Sequence, residues 1–454
     1  MECSCLRGTS NLLKGLRCAH DNFRTDRNHD LSDACGQLEE RRLRLRIRDR
    51  YTKAPMSQTT FTPTMEARTA IKPLPFHVPA IQEEEIQAVV EALRSGWIST
   101  GPRTKLFEEA FAKHIGTKHA LAVNSGTAAL HLSLEAIAIK EGDEVLVPTV
   151  TFTATAEVAA YFKAKPVLVD IEPVHFNINL EDAERKVTPK TRAILPVHFA
   201  GHPCPMDDVA EFAESRDLVV IEDAAHAIPA SYRRRKVGTM SPLTAFSFHA
   251  VKTLTTGEGG MVTTDDDRFA ERIRIMRLHG MDREAWKRYT AEGTWRYEIS
   301  EAGYKYNLTD PQAAMGLVQL SKCDQLWKRR NAIADQYRRA LESSETYRTP
   351  KADADVQHAW HLYVILINPA VLRLDRDQMI EELRRRGIGT GVHFIPLHLQ
   401  PYYQRTWGYK VGDFPTAEEY FERCISLPIY PSMTDDDVER VVAELQDIAV
   451  GFRK

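Results

Sequence analysis

The sequence predicts an α/β fold, with a large domain on a mostly parallel sheet and a smaller α+β domain after it. Three observations carry this. Apolar runs of four or five residues recur between Ala120 and Thr264, with helical segments between several of them, as strands buried on both faces require. Several of these runs end abruptly in polar or glycine-rich sequence, where open α/β sheets place their ligands. Beyond Pro311 the alternation gives way to a long helical periodicity and then to a mixture of strands and helices.

In chain order, regular structure is expected to begin near Pro73-Leu74-Pro75-Phe76. Ile81, Ile86, Val89, Val90 and Leu93 recur at helical spacing over 81–94. The string Ser95-Gly96-Trp97-Ile98-Ser99-Thr100-Gly101-Pro102 closes that helix and forms a loop. A second amphipathic helix over 105–114 stops near Gly116. Strands are predicted at 120–123, 144–147, 166–170, 193–197, 218–221, 244–248 and 260–264. Helices are predicted at 126–139, 153–162 and 206–215. Thr309-Asp310 before Pro311 reads as a cap followed by proline, opening a helix that runs through Leu317, Leu320 and Leu326 to Leu341. Strands at 362–367 and 391–394 and helices at 376–386 and 435–450 complete the chain. The expected domains are 71–325 and 326–454.

Residues 1–70 differ. They hold Cys3, Cys5, Cys18 and Cys35, the basic run Arg41-Arg42-Leu43-Arg44-Leu45-Arg46-Ile47-Arg48, and a Ser/Thr/Pro-rich stretch from Ala54 to Pro63. That composition predicts a disordered extension, with Met56 or Met65 as reasonable starts for the folded part; a basic interaction tail is the other reading. The cysteine spacing matches no standard zinc pattern, and no metal site is expected. A formal net charge of −3 across 454 residues gives no reason to expect nucleic acid as a partner. No apolar run approaches the roughly 18–20 residues of a membrane span. With no apolar signal core at the start, and with Cys204, Cys323 and Cys424 isolated, a cytoplasmic enzyme is the expectation.

Three strand ends carry chemistry. In Val123-Asn124-Ser125-Gly126-Thr127-Ala128 a strand passes straight into a helix. The free N–H groups and dipole of that helix suit a phosphate, Gly126 allows close approach, and Thr127 adds a hydroxyl; a plain serine cap accounts for the same residues. In Val219-Val220-Ile221-Glu222-Asp223 two carboxylates follow three apolar residues. One must face the sheet interior, where an unpaired charge is costly, and a cationic partner is one resolution; a helix cap is the other reading of Asp223. In Ala245-Phe246-Ser247-Phe248-His249-Ala250-Val251-Lys252 a lysine stands where a strand stops, before Thr253-Leu254-Thr255-Thr256-Gly257-Glu258-Gly259-Gly260. A solvated lysine is the ordinary alternative. Together, a phosphate cradle, a strand-end carboxylate and a strand-end lysine are the three anchors of pyridoxal 5'-phosphate, with Lys252 as Schiff-base residue and general base and Asp223 on the ring nitrogen. Phe152, after a further strand end, is placed either against the cofactor ring or in the core.

From about Pro75 onward the chain resembles the DegT/StrS-type family of pyridoxal-phosphate-dependent sugar aminotransferases. The resemblance is carried by the Ser95–Pro102 loop, Asn124-Ser125-Gly126-Thr127, Glu222-Asp223-Ala224-Ala225-His226 and Phe246 to Lys252 with Gly257-Glu258-Gly259-Gly260. Further matches are His279-Gly280, Gly303-Tyr304-Lys305-Tyr306-Asn307-Leu308-Thr309-Asp310, His393-Phe394-Ile395-Pro396-Leu397-His398 and Ser426 to Pro431. It implies a fold-type-I enzyme with a mixed, mostly parallel sheet. It implies that Lys252 and Asp223 are catalytic, that Gly126, Thr127 and Ser247 hold the phosphate, that Phe152 stacks on the ring, and that His226 lies near the phenolic oxygen. Asn307 is implied to reach the phosphate of a neighbouring subunit in a homodimer, and His393 and His398 to lie by the substrate. The implied reaction is transamination from L-glutamate to a UDP- or dTDP-linked keto-sugar at C3 or C4, in amino-sugar, polysaccharide or lipopolysaccharide biosynthesis. A keto-cyclitol aminotransferase and a non-enzymatic cofactor-binding regulator are the alternatives. Val251 stands where Thr or Ile is common, and Pro311 where a branched aliphatic residue is usual.

Overall fold

A computed structural model describes residues 72–281 and 297–454; the expected extension over 1–70, with its four cysteines, lies outside the described residues. Seven strands form one sheet: β1 (His119–Val123), β2 (Glu144–Pro148), β3 (Lys165–Val169), β4 (Thr191–Ile194), β5 (Val219–Asp223), β6 (Leu243–Ser247) and β7 (Gly260–Thr264). Their order is β1-β7-β6-β5-β4-β2-β3. β6, β5, β4, β2 and β3 pair in parallel, whereas β7 runs antiparallel to both β1 and β6. Every residue of β2 and β7 is buried, as their apolar runs require. One edge of the sheet therefore collects Val123, Pro148, Asp223 and Ser247 as strand ends, with Gly260 as the start of β7.

Helices cover the sheet. The helices named below are α1 (Glu83–Arg94), α2 (Pro102–Ile115), α3 (Gly126–Ala136), α4 (Ala154–Tyr161), α5 (Asp310–Ser321) and α6 (Cys323–Leu341). Ala128 through Glu135 of α3 are all buried; a helix covered nearly all round has no need of a polar face. A second sheet, β8 (Tyr347–Arg348), β9 (Tyr363–Ile367) and β10 (Cys424–Leu427), is antiparallel throughout. Its core joins Ile365 and Ile425 to Tyr337 of α6 and to Leu445 and Ile448 of the last helix, Asp435–Gly451.

Two expectations are corrected. The helix predicted from Thr309 to Leu341 is two helices, α5 and α6, divided at Lys322. There the Lys322 N–H is shared between the carbonyls of Val318 and Gln319, and its ammonium bonds Glu84 and Glu85 of α1. Residues 391–394 form no strand. Gly391 makes a single bridge to Ser426, and His393 then bonds the Ser426 hydroxyl through Nδ1, 2.8 Å away. The cap-then-proline start at Thr309-Asp310 is present, with Thr309 as N-cap, and Asp310 has a further role. Thr309 and Gln312 supply the capping box of α5, so the Asp310 carboxylate is free to cap a different helix. It accepts from Gly101 N at 2.7 Å, Thr104 N at 3.0 Å, Arg103 N at 3.1 Å and Thr104 Oγ1 at 2.7 Å. Gly101 is the N-cap residue of α2 and has no side chain to do this. Asp310→Ala leaves several buried amides without acceptors and is expected to cost about 3 kcal/mol, measured as a drop in the denaturant midpoint. An unchanged midpoint would show that the cap contributes nothing.

Candidate active site

The turn from β1 into α3 is shaped for close approach. The Ser125 hydroxyl accepts from Ala128 N at 3.0 Å, so the cap is satisfied without a ligand. Gly126 and Thr127 begin the helix beside Ser247 at the end of β6. A Cβ on Gly126 would lie 2.9 Å from the Ser247 Cβ, and one on Gly260 would lie 2.4 Å from the Ser125 carbonyl oxygen. Glycine at both positions is what lets this turn sit against β6 and β7. Thr127 and Ser247 are half-buried at this edge.

Lys252 lies in the connection between β6 and β7. Phe248, packed on Phe107 and Phe111, fixes the start of that connection. The threonines hold it shut: Thr255 Oγ1 donates to the Phe248 carbonyl at 3.1 Å, Thr253 Oγ1 to Ile228 O at 2.6 Å, and Thr255 Oγ1 accepts from Gly257 N at 2.9 Å. The Thr/Gly-rich sequence is thus a fastened loop, and Lys252 is half-buried within it. Burial pushes its ammonium down to about 8, against the pull of the Asp223 carboxylate. Because only the neutral amine attacks an aldehyde, uptake of pyridoxal phosphate by cofactor-free protein should quicken as pH rises and level off above about 8. A rate still climbing tenfold per pH unit near the ordinary lysine value of 10.5 would contradict this; stopped-flow absorbance decides.

The two carboxylates of β5 divide their work. Glu222 points into the interior, as one of the pair had to, and is fully buried. It is satisfied by His198 Nε2 at 2.8 Å, Thr244 Oγ1 at 3.0 Å and the Ser241 hydroxyl. Asp223 faces the ligand edge. Its Oδ2 accepts from Thr155 Oγ1 at 2.7 Å and its Oδ1 from Ala225 N at 3.0 Å. Thr151 in turn contacts Thr155, 2.7 Å between hydroxyls. The sequence reading passed over Thr155; its trace was the run Thr151-Phe152-Thr153-Ala154-Thr155 behind a strand end.

Phe152 is 60% exposed, so the core reading of this residue fails and a flat ligand face is available. His226 is buried with Nδ1 lacking a hydrogen-bond partner. It tilts against His361, with centroids 4.3 Å apart. His361 Nδ1 and His77 Nε2 are likewise buried without partners; neither residue was anticipated. Burial first, with Lys252 contributing, holds His226 and His361 well below the ordinary imidazole range and takes His77 and His393 down to about 4. Four imidazoles are therefore held neutral by burial and by the lysine charge. His393 is one of the four. His398 is not: it is fully buried, with Nδ1 on Thr149 Oγ1 at 2.8 Å and Nε2 on Glu418 at 3.0 Å. Both nitrogens are engaged in joining the end of β2 to a later helix, while its neighbour Leu397 lines the cavity beside Phe152. Asn307 bridges Val123 beside the Ser-Gly-Thr turn, and its Nδ2 donates to Thr100 Oγ1 at 2.6 Å.

These residues fit a phosphorylated aromatic aldehyde. The turn packs too tightly for a Cβ, the imidazoles present unpartnered nitrogens, and one aromatic ring lies open to solvent. Next to Phe152 is a cavity of about 770 Å³ lined by Tyr161, Phe394, Tyr402 and Tyr403, with Glu157 and Gln400 as polar groups. Among the described residues, no helix is long and apolar enough to cross a membrane.

The DegT/DnrJ/EryC1/StrS aminotransferase family model matches residues 79–446. An uncharacterized protein of Methanocaldococcus jannaschii, MJ1066, is 54% identical over 375 residues, 83% of this chain and 97% of that protein. The spore coat polysaccharide biosynthesis protein SpsC of Bacillus subtilis is 48% identical over 379 residues, with the same coverage of each chain. Among solved structures, the putative sugar aminotransferase Spr1654 of Streptococcus pneumoniae in its PMP form superposes with a TM-score of 0.79 at 34% identity, over 83% of this chain and 99% of that one.

Proposed function

The chain belongs to the DegT/DnrJ/EryC1/StrS aminotransferase family, and on that premise we propose that it transfers the amino group of L-glutamate to the keto carbon of a UDP- or dTDP-linked keto-sugar. It is a sugar aminotransferase of fold type I, and its cofactor is pyridoxal phosphate. The finer roles are our reading of the site. When bound, the cofactor supplies a carbonyl to receive the amine and a ring that accepts its electrons.

In this reading Lys252 would hold the cofactor through its neutral amine and would serve as the general base that carries the proton. Asp223, steadied by Thr155, holds a proton at the ring nitrogen. Gly126, Thr127 and Ser247 bind the phosphate, with Asn307 of a second copy completing the cradle in a homodimer. Phe152 covers one ring face. His226, with its unpartnered Nδ1, would lie near the phenolic oxygen, and His393 would lie on the substrate side.

The observation that carries the nucleotide reading is the aromatic cavity beside Phe152. Its volume falls within the roughly 300–1,000 Å³ of small-molecule sites, and Tyr161, Tyr402 and Phe394 offer flat faces to a base. A cyclitol has no planar group to place there. The test is to offer UDP- and dTDP-keto-sugars, and a keto-cyclitol, to glutamate-treated enzyme, alongside thermal shifts with UDP and dTDP. Amination of the cyclitol alone, with no nucleotide raising Tm, would overturn this assignment.

A further inference from the structure

We propose that His175, His202 and Asp353 bind one zinc ion, at a site sharing no residue with the Lys252 cluster. The three come from separate segments: the loop after β3, the turn after β4, and the segment leading to β9. Their ligand atoms lie within 4.8 Å of one another.

His202 makes the case. It is 4% exposed, and its Nδ1 lies 2.9 Å from the Pro203 carbonyl. A carbonyl only accepts, so Nδ1 carries the hydrogen and the neutral ring presents a lone pair at Nε2. That Nε2 has no hydrogen-bond partner and lies 3.9 Å from Asp353 Oδ2. His175 Nε2 is 3.3 Å from the same oxygen. A buried lone pair thus faces a carboxylate, and a positive charge belongs between them. A divalent ion satisfies all three groups. Two imidazoles and one carboxylate, with a fourth position for water, form a donor set suited to zinc. An Nδ1–H donated to a backbone carbonyl is the outer contact that orients a metal-binding histidine.

The rings of His175 and His202 stack at 3.9 Å and 14°. Two rings sharing an ion at about 2.0–2.1 Å from each nitrogen converge less parallel than this, so loading spreads the stack and draws in Asp353. Asp353 is 55% exposed and has room to move. The ion then ties together three segments around Gly201, whose Cα face abuts the His226 carbonyl, and so stiffens the backing of the cofactor pocket.

The experiment uses full-length, cofactor-loaded protein, stripped with chelator and titrated with Zn²⁺. Because Cys3, Cys5, Cys18 and Cys35 offer competing thiols, the readout is the difference between the parent and Asp353→Asn or His175→Gln. The parent should bind one equivalent more tightly than either variant by about a hundredfold or more, exceeding the 10–100-fold that outer contacts carry. Its Tm should rise with zinc where theirs does not, and Co²⁺ should give visible bands of nitrogen and oxygen ligation. Should His175→Gln fold poorly, Asp353→Asn, altered at an exposed side chain, decides. Equal stoichiometry and affinity in parent and Asp353→Asn, or no zinc bound by the parent, overturns the proposal.

Discussion

Lys252→Ala is expected to lower turnover by about 10⁴-fold or more, since one substitution removes both the covalent anchor and the proton carrier. The fold should be untouched. The loop around Lys252 is closed by threonine hydroxyls and backbone bonds, none of which uses the ammonium. In cofactor-free protein the variant should also lose a pH dependence. The native lysine titrates near 8 and the unfolded one near 10.5, so between these values the unfolded chain holds the extra proton. Native stability therefore rises with pH across that window, and the variant lacks the rise. Borohydride treatment of the loaded parent should fix the cofactor on the peptide containing Lys252. A variant retaining more than about a hundredth of parental turnover would remove Lys252 from the mechanism.

Asp223→Asn is expected to lower turnover by about 10²–10³-fold, the scale of removing one preorganised electrostatic group. An amide cannot hold a proton at a ring nitrogen as a carboxylate does. Shape is retained, and one of the two bonds, to Thr155 or to Ala225 N, is lost, a cost of about 1 kcal/mol. A second signature separates chemistry from misfolding. Asp223 raises the Lys252 value, so the plateau for cofactor uptake should move to lower pH in the variant. Full turnover with an unmoved plateau would assign Asp223 a capping role only.

What was legible in the sequence follows from where the information lies. Strands buried on both faces are written as apolar runs, and the residue after each run marks the ligand edge, so Gly126, Asp223 and Lys252 could be found one strand at a time. Run and strand still differ locally: the apolar stretch 193–197 outlasts β4, which ends at Ile194, and Pro196 has no N–H for a ladder. Groups assembled from distant segments left no local trace. His77 and His361 join His226 only through the fold. His175, His202 and Asp353 are spread over nearly 180 positions. Asp310 reads as the cap of its own helix until α2 is seen to begin at a glycine. His398 sits in a motif shared with His393, yet only the latter feels the lysine charge; both nitrogens of His398 are satisfied elsewhere.

The single reversed strand has a consequence for the order of assembly. β1 lies at the sheet edge and pairs with β7, which is synthesised more than a hundred residues later. The neighbouring pair β6 and β7 closes through a short connection, a local and rapid event. On the ribosome, β1 and the Ser-Gly-Thr turn behind it emerge early but wait without a partner until Thr264 has been made. The lysine and the Ser-Gly-Thr turn thus enter the native sheet on the same strand's arrival, and a nascent chain stopped short of it carries neither half of the proposed site in place.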